Sequence, residues 1–188
     1  AESKGIATKN LLNEIDLGNI KGAVLYPTGL IGPNDFKISN IAKTIISHSK
    51  NGTLAYVNGS YDFIDVRDVS KTTIELVKNE INVKEFILSG NNQVTVQDLL
   101  LELEKLTGVP APKIEVPIKL VEYYAHINGF LNKLLGKQAV ITGYAIKTLH
   151  SEIPNPSSKN TENLIFRTRN WKESIKDQYD WLKQNAYI

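Results

Sequence analysis

The stretch KGAVLYPTGLIGPND, residues 21–35, decides the fold class of this chain. Its apolar run at residues 23–26 is short and continuous, which is typical of a parallel strand buried on both faces. Pro27-Thr28-Gly29 ends that strand, and residues 32–35 form a second turn. Similar strands alternate with helical patterns along the chain, so the sequence predicts an α/β protein with a partly parallel sheet.

Helix signals lie on both sides of this stretch. Residues 3–16 carry an apolar stripe at helical spacing, and residues 38–49 carry another. Asp68 is a candidate N-cap for a third helix, and Thr95 opens a capping-box pattern with Asp98 in place of Glu or Gln. The remaining predictions are strands at 53–57, 62–66 and 85–88, helices at 95–108, 117–136, 143–149 and from residue 171, and a loop at 153–159.

The composition excludes several classes of function. Hydrophobic residues make up 41% and charged residues 22% of the 188 residues, so a packed core is expected. The net charge of +2 is too small and dispersed to indicate a nucleic-acid or membrane partner, and no apolar run is long enough to span a bilayer. Without Cys, and with three His far apart in sequence, no metal site is expected. We therefore expect a cytoplasmic protein, and the lack of any Met suggests a missing N-terminal region.

Three stretches, in this order, resemble the extended short-chain dehydrogenases/reductases, the NAD-dependent epimerase/dehydratase family. They are AESK at residues 1–4, LYPTGLIGP at 25–33 and FIDVRDV at 63–69. Each motif alone is weakly specific for the family, but the order and spacing of all three together are much more specific. The Pro-Thr-Gly and Asp-Val-Arg-Asp patterns are most similar to the dihydroflavonol-reductase-like enzymes. The resemblance implies the C-terminal half of such an enzyme, cut just after its catalytic tyrosine.

The resemblance also implies roles at the cofactor. Lys4 fits the family's lysine, which binds the nicotinamide ribose and lowers the pKa of a tyrosine one helical turn earlier, provided that a tyrosine precedes Ala1. Pro27, Thr28, Gly29 and Leu30 would meet the carboxamide and ribose of NAD or NADP, with Gly29 permitting close approach. The alternatives are a solvated lysine and an ordinary turn that ends a strand.

Substrate contacts are implied at Phe36, Tyr61 and Arg67. The two aromatic side chains would wall a substrate pocket, although aromatics at such places are often core residues. Arg67 would either contact substrate or pair with a carboxylate. Nucleotide-sugar epimerases of the family carry an arginine near the position of Tyr61, where it meets a phosphate. A tyrosine cannot neutralise a diphosphate, which favours a less charged carbonyl substrate.

The fold that the resemblance implies is the distal part of a doubly wound Rossmann-type sheet plus a small mixed α/β substrate-binding portion. Residues 1–50 would belong to the dinucleotide-binding domain, and residues 51–188 to the substrate-binding portion with interleaved Rossmann elements. No glycine-rich phosphate loop follows a strand in this sequence, so the choice between NAD and NADP is not encoded here, and we expect the chain alone to be inactive.

The implied activity is hydride transfer between nicotinamide and a carbonyl or alcohol substrate. Two alternatives remain open. One is an NAD-dependent nucleotide-sugar epimerase or dehydratase that begins with the same step. The other is a non-catalytic relative that senses dinucleotides or binds a protein. A small-molecule substrate is the expected partner, and a homodimer is one option because the opening helix lies where many relatives dimerise.

Overall fold

Strands alternate with helices through the described part of the chain. The structure, a computed structural model, describes residues 2–78, 84–120 and 168–188. The helices are α1 (Glu2–Asp16), α2 (Asn40–Asn51), α3 (Val66–Lys78), α4 (Val96–Thr107) and α5 (Trp171–Gln184). The strands are β1 (Val24–Pro27), β2 (Gly29–Ile31), β3 (Ala55–Tyr56), β4 (Ser60–Tyr61), β5 (Phe63–Asp65), β6 (Glu85–Leu88), β7 (Val94–Thr95) and β8 (Ile114–Glu115).

The strands form four pairs, three of them parallel. β1 pairs with β6, β2 with β5 and β3 with β8 in parallel, whereas β4 and β7 are antiparallel. Only one residue, Thr28, separates β1 from β2, so the chain leaves one strand pair and enters another at this point. Strand β5 leads directly into α3, and β7 leads directly into α4. The partly parallel α/β architecture that the sequence predicts is therefore confirmed.

Two hydrophobic clusters hold these elements together. The larger one joins β2, β5 and β7 to α2, α4 and α5, and its fully buried members include Ile45, Leu103, Ile175 and Leu182. It thus combines residues from both sides of position 50, and the domain boundary there stays a prediction. The smaller cluster is formed by Ile64, Phe86 and Leu88, against which half-buried residues of β1 and α3 pack.

Most helix ends follow their sequence signals. Ser39 caps α2 by accepting a hydrogen bond from the backbone of Ala42. Thr95 and Asp98 form the predicted capping box at α4, which Gly108 ends in the left-handed conformation. Pairing each terminal N–H and C=O in this way removes unsatisfied groups that would otherwise destabilise the helix. These three signals are therefore reliable guides to the boundaries of α2 and α4.

The prediction that Asp68 caps the third helix is wrong. α3 begins at Val66, and the side chain of Asp65 accepts a hydrogen bond of 2.8 Å from the backbone N–H of Arg67, which is N-cap geometry. Asp68 instead lies in the first turn, is buried, and binds Arg169. Asp65 and Asp68 both precede the apolar stripe of α3, so the sequence pattern did not show which of them caps the helix. The Asp68 carboxylate is instead occupied by its tertiary contact with Arg169.

The first helix and first strand are less buried than their patterns predict. No residue of α1 is buried, and Ile6 and Leu11 of its apolar stripe are exposed. Val24, Leu25 and Tyr26 of β1 are half-buried rather than buried on both faces. The reason is that β1 has a single strand partner, β6, among the described residues.

Several predictions fall outside the described residues. They are most of the helix predicted at 117–136, the helix at 143–149 and the loop at 153–159. Within the described ranges, none of the helices combines the length and apolar character that crossing a bilayer requires. The same ranges contain no group of three His, Asp or Glu residues arranged to hold a metal ion.

Candidate functional site

The candidate site lies where β1 and β6 end side by side and the chain crosses into β2. The backbone N–H of Thr28 donates to the Leu88 carbonyl (2.9 Å), and that of Gly29 donates to the Asp62 carbonyl (2.9 Å). Pro27 has no N–H to offer. Ligands in open α/β sheets bind beyond the carboxyl ends of parallel strands, and this crossing has that position. The N–H groups of Thr28 and Gly29 are already used, so a ligand would meet other atoms here.

One such atom is the hydroxyl oxygen of Thr28. It is buried and makes no hydrogen bond with any described residue. An unpaired buried hydroxyl costs about 1–3 kcal/mol relative to a paired one, and native proteins contain few of them. A polar ligand group at this place would pair with it. Among the residues of this turn, Thr28 is therefore the one whose side chain has an unpaired polar atom to offer a ligand.

The structure gives Gly29 a role within the protein itself, and its contact with a cofactor stays a prediction. A Cβ at this position would lie 3.0 Å from the carbonyl oxygen of Asp62 and 3.0 Å from the ring of Phe63. The close approach that the glycine permits is thus an approach of β2 to the chain before β5. Leu30, the next residue, is 46% exposed and presents an apolar side chain beside the turn.

A polar network fixes the strand ends around the turn. The Asp62 carboxylate accepts from the Ser89 hydroxyl and from the backbone N–H of Asn92. The Asn92 side chain in turn pairs with both backbone groups of Phe63, at 2.9 and 3.2 Å. Gly90 is required here because a Cβ would overlap the Phe63 carbonyl. These contacts connect the loop after β6 to the start of β5. The sequence patterns of these two segments did not indicate that they contact each other.

Lys4 lies on the first turn of α1 and is exposed. It lines an open groove whose other walls include Thr8, Leu12 and, across from α1, Tyr26 at the end of β1. The Tyr26 hydroxyl donates a 2.7 Å hydrogen bond to Glu85, and this bond, a small burial effect and the carboxylate charge raise the pKa of Tyr26. The structure thus places Lys4 in one groove with the residue directly before Pro27.

The two aromatic residues predicted to contact substrate, Tyr61 and Phe36, lie in different parts of the structure. Tyr61 is half-buried and packs on Phe63 with ring centroids 5.5 Å apart, and burial raises its pKa. Phe36 is 72% exposed, and its ring forms a T-shaped contact with Trp181, with ring centroids 5.2 Å apart. Tyr61 therefore belongs to the β4–β5 region, whereas Phe36 belongs to the loop between β2 and α2.

Arg67 is paired with carboxylates, which is one of the two interpretations that the sequence left open. Its guanidinium makes two hydrogen bonds to Asp65 (2.9 and 2.7 Å) and an ion pair with Asp177 on α5 (2.7 Å). Burial alone would raise the pKa of Asp65, but hydrogen bonds from Arg67 and Ser174 hold it below its usual value. Contact between Arg67 and a substrate stays a prediction.

Sequence reasoning missed the contribution of the C-terminal helix. Ser174, Asp177, Gln178 and Trp181 on α5 all contact the candidate site region. Buried polar residues within an amphipathic helix were the available signal, since Ser174 and Gln178 share the apolar face with Ile175 and Leu182. Their partners lie more than 100 residues away, so no local pattern could name them.

Comparison with known proteins finds two sequence relatives and a number of similar solved structures. No family model matches the chain. It is 24% identical over 167 residues to sterol demethylase protein B of Methylococcus capsulatus, covering 88% of this chain and 51% of that protein. It is 26% identical over 168 residues to a putative dihydroflavonol 4-reductase of Synechocystis, covering 88% and 49%. The chain thus spans about half the length of these relatives.

Similarity to both relatives over 88% of this chain agrees with its resemblance to the NAD-dependent epimerase/dehydratase family. Solved structures show the same fold. A nucleoside-diphosphate-sugar epimerase from Pseudomonas aeruginosa superimposes with a TM-score of 0.69 at 18% identity, covering 98% of this chain and 55% of that one. UDP-glucuronic acid 4-epimerase from Bacillus cereus, solved with UDP-glucuronic acid and NAD, gives 0.54 at 15% identity, covering 89% and 47%. The Rossmann-type fold class predicted from the sequence is therefore confirmed.

Proposed function

We propose that the protein forms part of an NAD(P)-dependent oxidoreductase that moves hydride between nicotinamide and a carbonyl or alcohol carbon. The observation that carries this proposal is the buried, unpaired hydroxyl of Thr28 at the crossing from β1 to β2. It supplies one donor and acceptor where a family member's cofactor would lie, beyond the carboxyl ends of parallel strands.

The residues present fit a nicotinamide cofactor, NAD or NADP. The Thr28 hydroxyl would pair with the carboxamide, Pro27 and Leu30 would flank the ring, and the Lys4 ammonium would hold the ribose hydroxyls. Lys4 makes no ion pair with any described residue, so its ammonium is available for this role. Bound nicotinamide would supply the hydride chemistry, and the protein would orient the reactants and exclude water.

Lys4 has a second proposed task, which is to make proton exchange feasible near neutral pH. The family's tyrosine precedes the lysine by four residues, which places both side chains on one helix face. A tyrosine titrates near pH 10, and a nearby ammonium lowers that pKa. In a carbonyl reduction, that tyrosine would donate a proton to the substrate oxygen, and bound nicotinamide would supply the hydride to the carbonyl carbon, which gives an alcohol.

A substrate without a diphosphate group is supported by the pairing of the arginines. Arg67 binds Asp65 and Asp177, and Arg169 binds Asp68, so neither guanidinium in the described residues is free to bind phosphate. Two exposed apolar side chains, Leu30 on β2 and Phe36 on the loop that follows β2, lie in this part of the chain. The two sequence relatives are also named for compounds that are not nucleotides, a sterol and a dihydroflavonol.

The test is Thr28→Val in the full-length protein, because it should change stability and binding in opposite directions. Val keeps the shape of Thr without the hydroxyl. Without cofactor, we expect the free energy of unfolding to rise by about 1 kcal/mol, since an unpaired buried oxygen is removed. With cofactor, we expect the affinity for NADH or NADPH to fall about tenfold, equivalent to one hydrogen bond. Thermal unfolding and isothermal titration measure the two effects.

The matched control is Thr73→Val, because the exposed Thr73 hydroxyl donates to the Val69 carbonyl one turn earlier in α3. It should change neither quantity by more than a few tenths of a kcal/mol. Unchanged cofactor affinity in Thr28→Val would contradict the proposed cofactor contact. A dihydroflavonol, a sterol-derived ketone and UDP-glucose then test the substrate. Net loss of NAD(P)H absorbance with a ketone supports the reductase, whereas conversion of UDP-glucose without net NADH change supports the epimerase alternative.

A further inference from the structure

We infer that Gln178, on the C-terminal helix, is a positioning residue that fixes the loop at residues 32–38 and so sets the substrate side of the proposed active site. This inference rests on the proposed function. The loop follows β2 directly, carries Phe36, and ends at the N-cap of α2. Asn34, Phe36 and Lys37 of this loop are exposed, so the contacts that hold the loop in place determine the position of Phe36.

Gln178 bridges two points of this loop. Its side-chain oxygen accepts the backbone N–H of Gly32 at 3.3 Å, and its side-chain nitrogen donates to the Asp35 carboxylate at 3.2 Å. The orientation of the amide is dictated by chemistry, because only its oxygen can receive an N–H and only its nitrogen can donate to a carboxylate. Gln178 is 1% exposed, so water cannot replace these two bonds.

The loop has little freedom to move around this bridge. Gly32 has a φ of 127°, and a Cβ there would lie 3.1 Å from the Val66 side chain at the start of α3. The Asp35 carboxylate also accepts from the backbone N–H of Ser39 at the start of α2. Gln178 therefore links α5 to the loop, and Asp35 links the loop to α2. Loss of Gln178 would remove the hydrogen bonds between the loop and α5.

The same helix face carries the outer contact of the loop. One turn beyond Gln178, Trp181 forms a T-shaped ring contact with Phe36, with centroids 5.2 Å apart, and Trp181 also stacks on Tyr187. Because Phe36 is mostly exposed, this ring contact and the Gln178 bridge are what orient it. A shift of about 1 Å in a positioning element can reduce turnover up to about a hundredfold, even when chemistry groups are untouched.

The experiment uses four variants of the full-length protein. Gln178→Leu removes both bonds while filling a similar volume. Gln178→Glu keeps an acceptor for Gly32 but places a carboxylate against Asp35, and Asp35→Asn combined with it restores a donor–acceptor pair. Thr72→Val is the matched control, since Thr72 is equally buried but bonds only within α3, to the Asp68 carbonyl.

Two readouts separate positioning from simple stability. Hydrogen exchange of the Gly32 amide should accelerate roughly 2- to 10-fold in Gln178→Leu, the factor that one hydrogen bond contributes. KM for the better of the two ketone probes should rise about tenfold or more, while the cofactor Kd stays within about twofold of wild type. The double variant should reverse most of the increase in KM that Gln178→Glu causes. Thr72→Val should change neither the Gly32 exchange rate nor KM.

The outcomes decide the inference. If Gln178→Leu matches Thr72→Val in both readouts, or if the double variant shows no rescue of KM, Gln178 does not position the loop. If wild-type protein turns over no ketone and binds no cofactor, the proposed function is wrong. In that case the proposed effect of Gln178 on substrate KM is overturned as well. The hydrogen-exchange rate of the Gly32 amide still decides whether Gln178 holds the loop.

Discussion

Two edges of the molecule carry the candidate site, and they are built in opposite ways. At one edge, α5 holds the loop at 32–38 and the start of α3 through buried and half-buried polar groups that lie far apart in sequence. We refer to these contacts of Ser174, Asp177, Gln178 and Trp181 as the α5 clasp. At the other edge, α1 and β1 meet along an open groove, and α1 buries no residue at all.

The difference shows where rigidity is located in the described part of the chain. The α5 clasp combines a hydrophobic core with satisfied buried hydrogen bonds, an arrangement that allows few alternative packings. The α1 edge relies on one strand pair and on exposed ion pairs such as Lys84 with Asp16, which contribute little. Proposed substrate contacts therefore rest on a well-fixed edge, and the proposed cofactor lysine, Lys4, rests on a weakly fixed one.

The largest expected effect compares the same substitution at the two edges. Leu182→Ala on α5 removes a fully buried side chain and should lower the free energy of unfolding by about 2–5 kcal/mol. Leu11→Ala on α1 truncates a side chain that is 39% exposed, and the loss should stay below about 1 kcal/mol. Urea unfolding of both variants gives the two values. Equal losses would mean that α1 is buried in the folded protein and that the contrast between the edges is wrong.

The sequence predicted the framework of both edges but not their contacts. Local signals worked where the physics is local: the strand at 85–88, the Thr95–Asp98 capping box and Gly108 all lie where the pattern indicated. The family motifs also led to the correct fold class, and they pointed to the turn at Thr28. Whether the residues of that turn bind a cofactor stays a prediction.

The remaining features depend on tertiary partners that the sequence cannot specify locally. Asp65 and Asp68 look alike as caps, and only the positions of Arg67 and Arg169 decide that the first caps α3 and the second anchors residue 169. Gln178 had no recognisable motif, since an isolated glutamine on a C-terminal helix is usually solvated. Its role follows from a loop that lies about 140 positions earlier in the chain.

The second prediction tests the charge at the α5 clasp. Because the folded-state pKa of Asp65 is lowered, its contribution to the free energy of unfolding is fully present above the unfolded pKa of about 3.9 and is lost as pH falls through the folded pKa. Asp65→Asn keeps a capping side chain but removes the charge beside Arg67. We expect a loss of about 1–3 kcal/mol at neutral pH and a shallower decline of stability below about pH 4.

Urea unfolding at a series of pH values measures both quantities. The control is Asp180→Asn on α5, which removes an exposed ion pair with Lys176, and the loss should be under about 1 kcal/mol. If Asp65→Asn and Asp180→Asn lose equal stability at neutral pH, the buried pairing at the clasp contributes no more than an exposed one, and the contrast between the two edges is weaker than the contacts indicate.

The smallest expected effect lies at the α1 edge and concerns the groove that Lys4 and Tyr26 share. The hydrogen bond to Glu85 raises the pKa of Tyr26, so Glu85→Gln should bring that pKa back toward the ordinary value of about 10 while hardly changing stability. Phenolate absorbance, with the Tyr26→Phe curve subtracted to isolate this ring among eight tyrosines, measures the shift. A Tyr26 that titrates identically with and without the Glu85 carboxylate would show that the hydrogen bond is not populated in solution. The end of β1, directly before Thr28, would then be held by its pairing with β6 alone, which would make the contrast with the α5 clasp greater still.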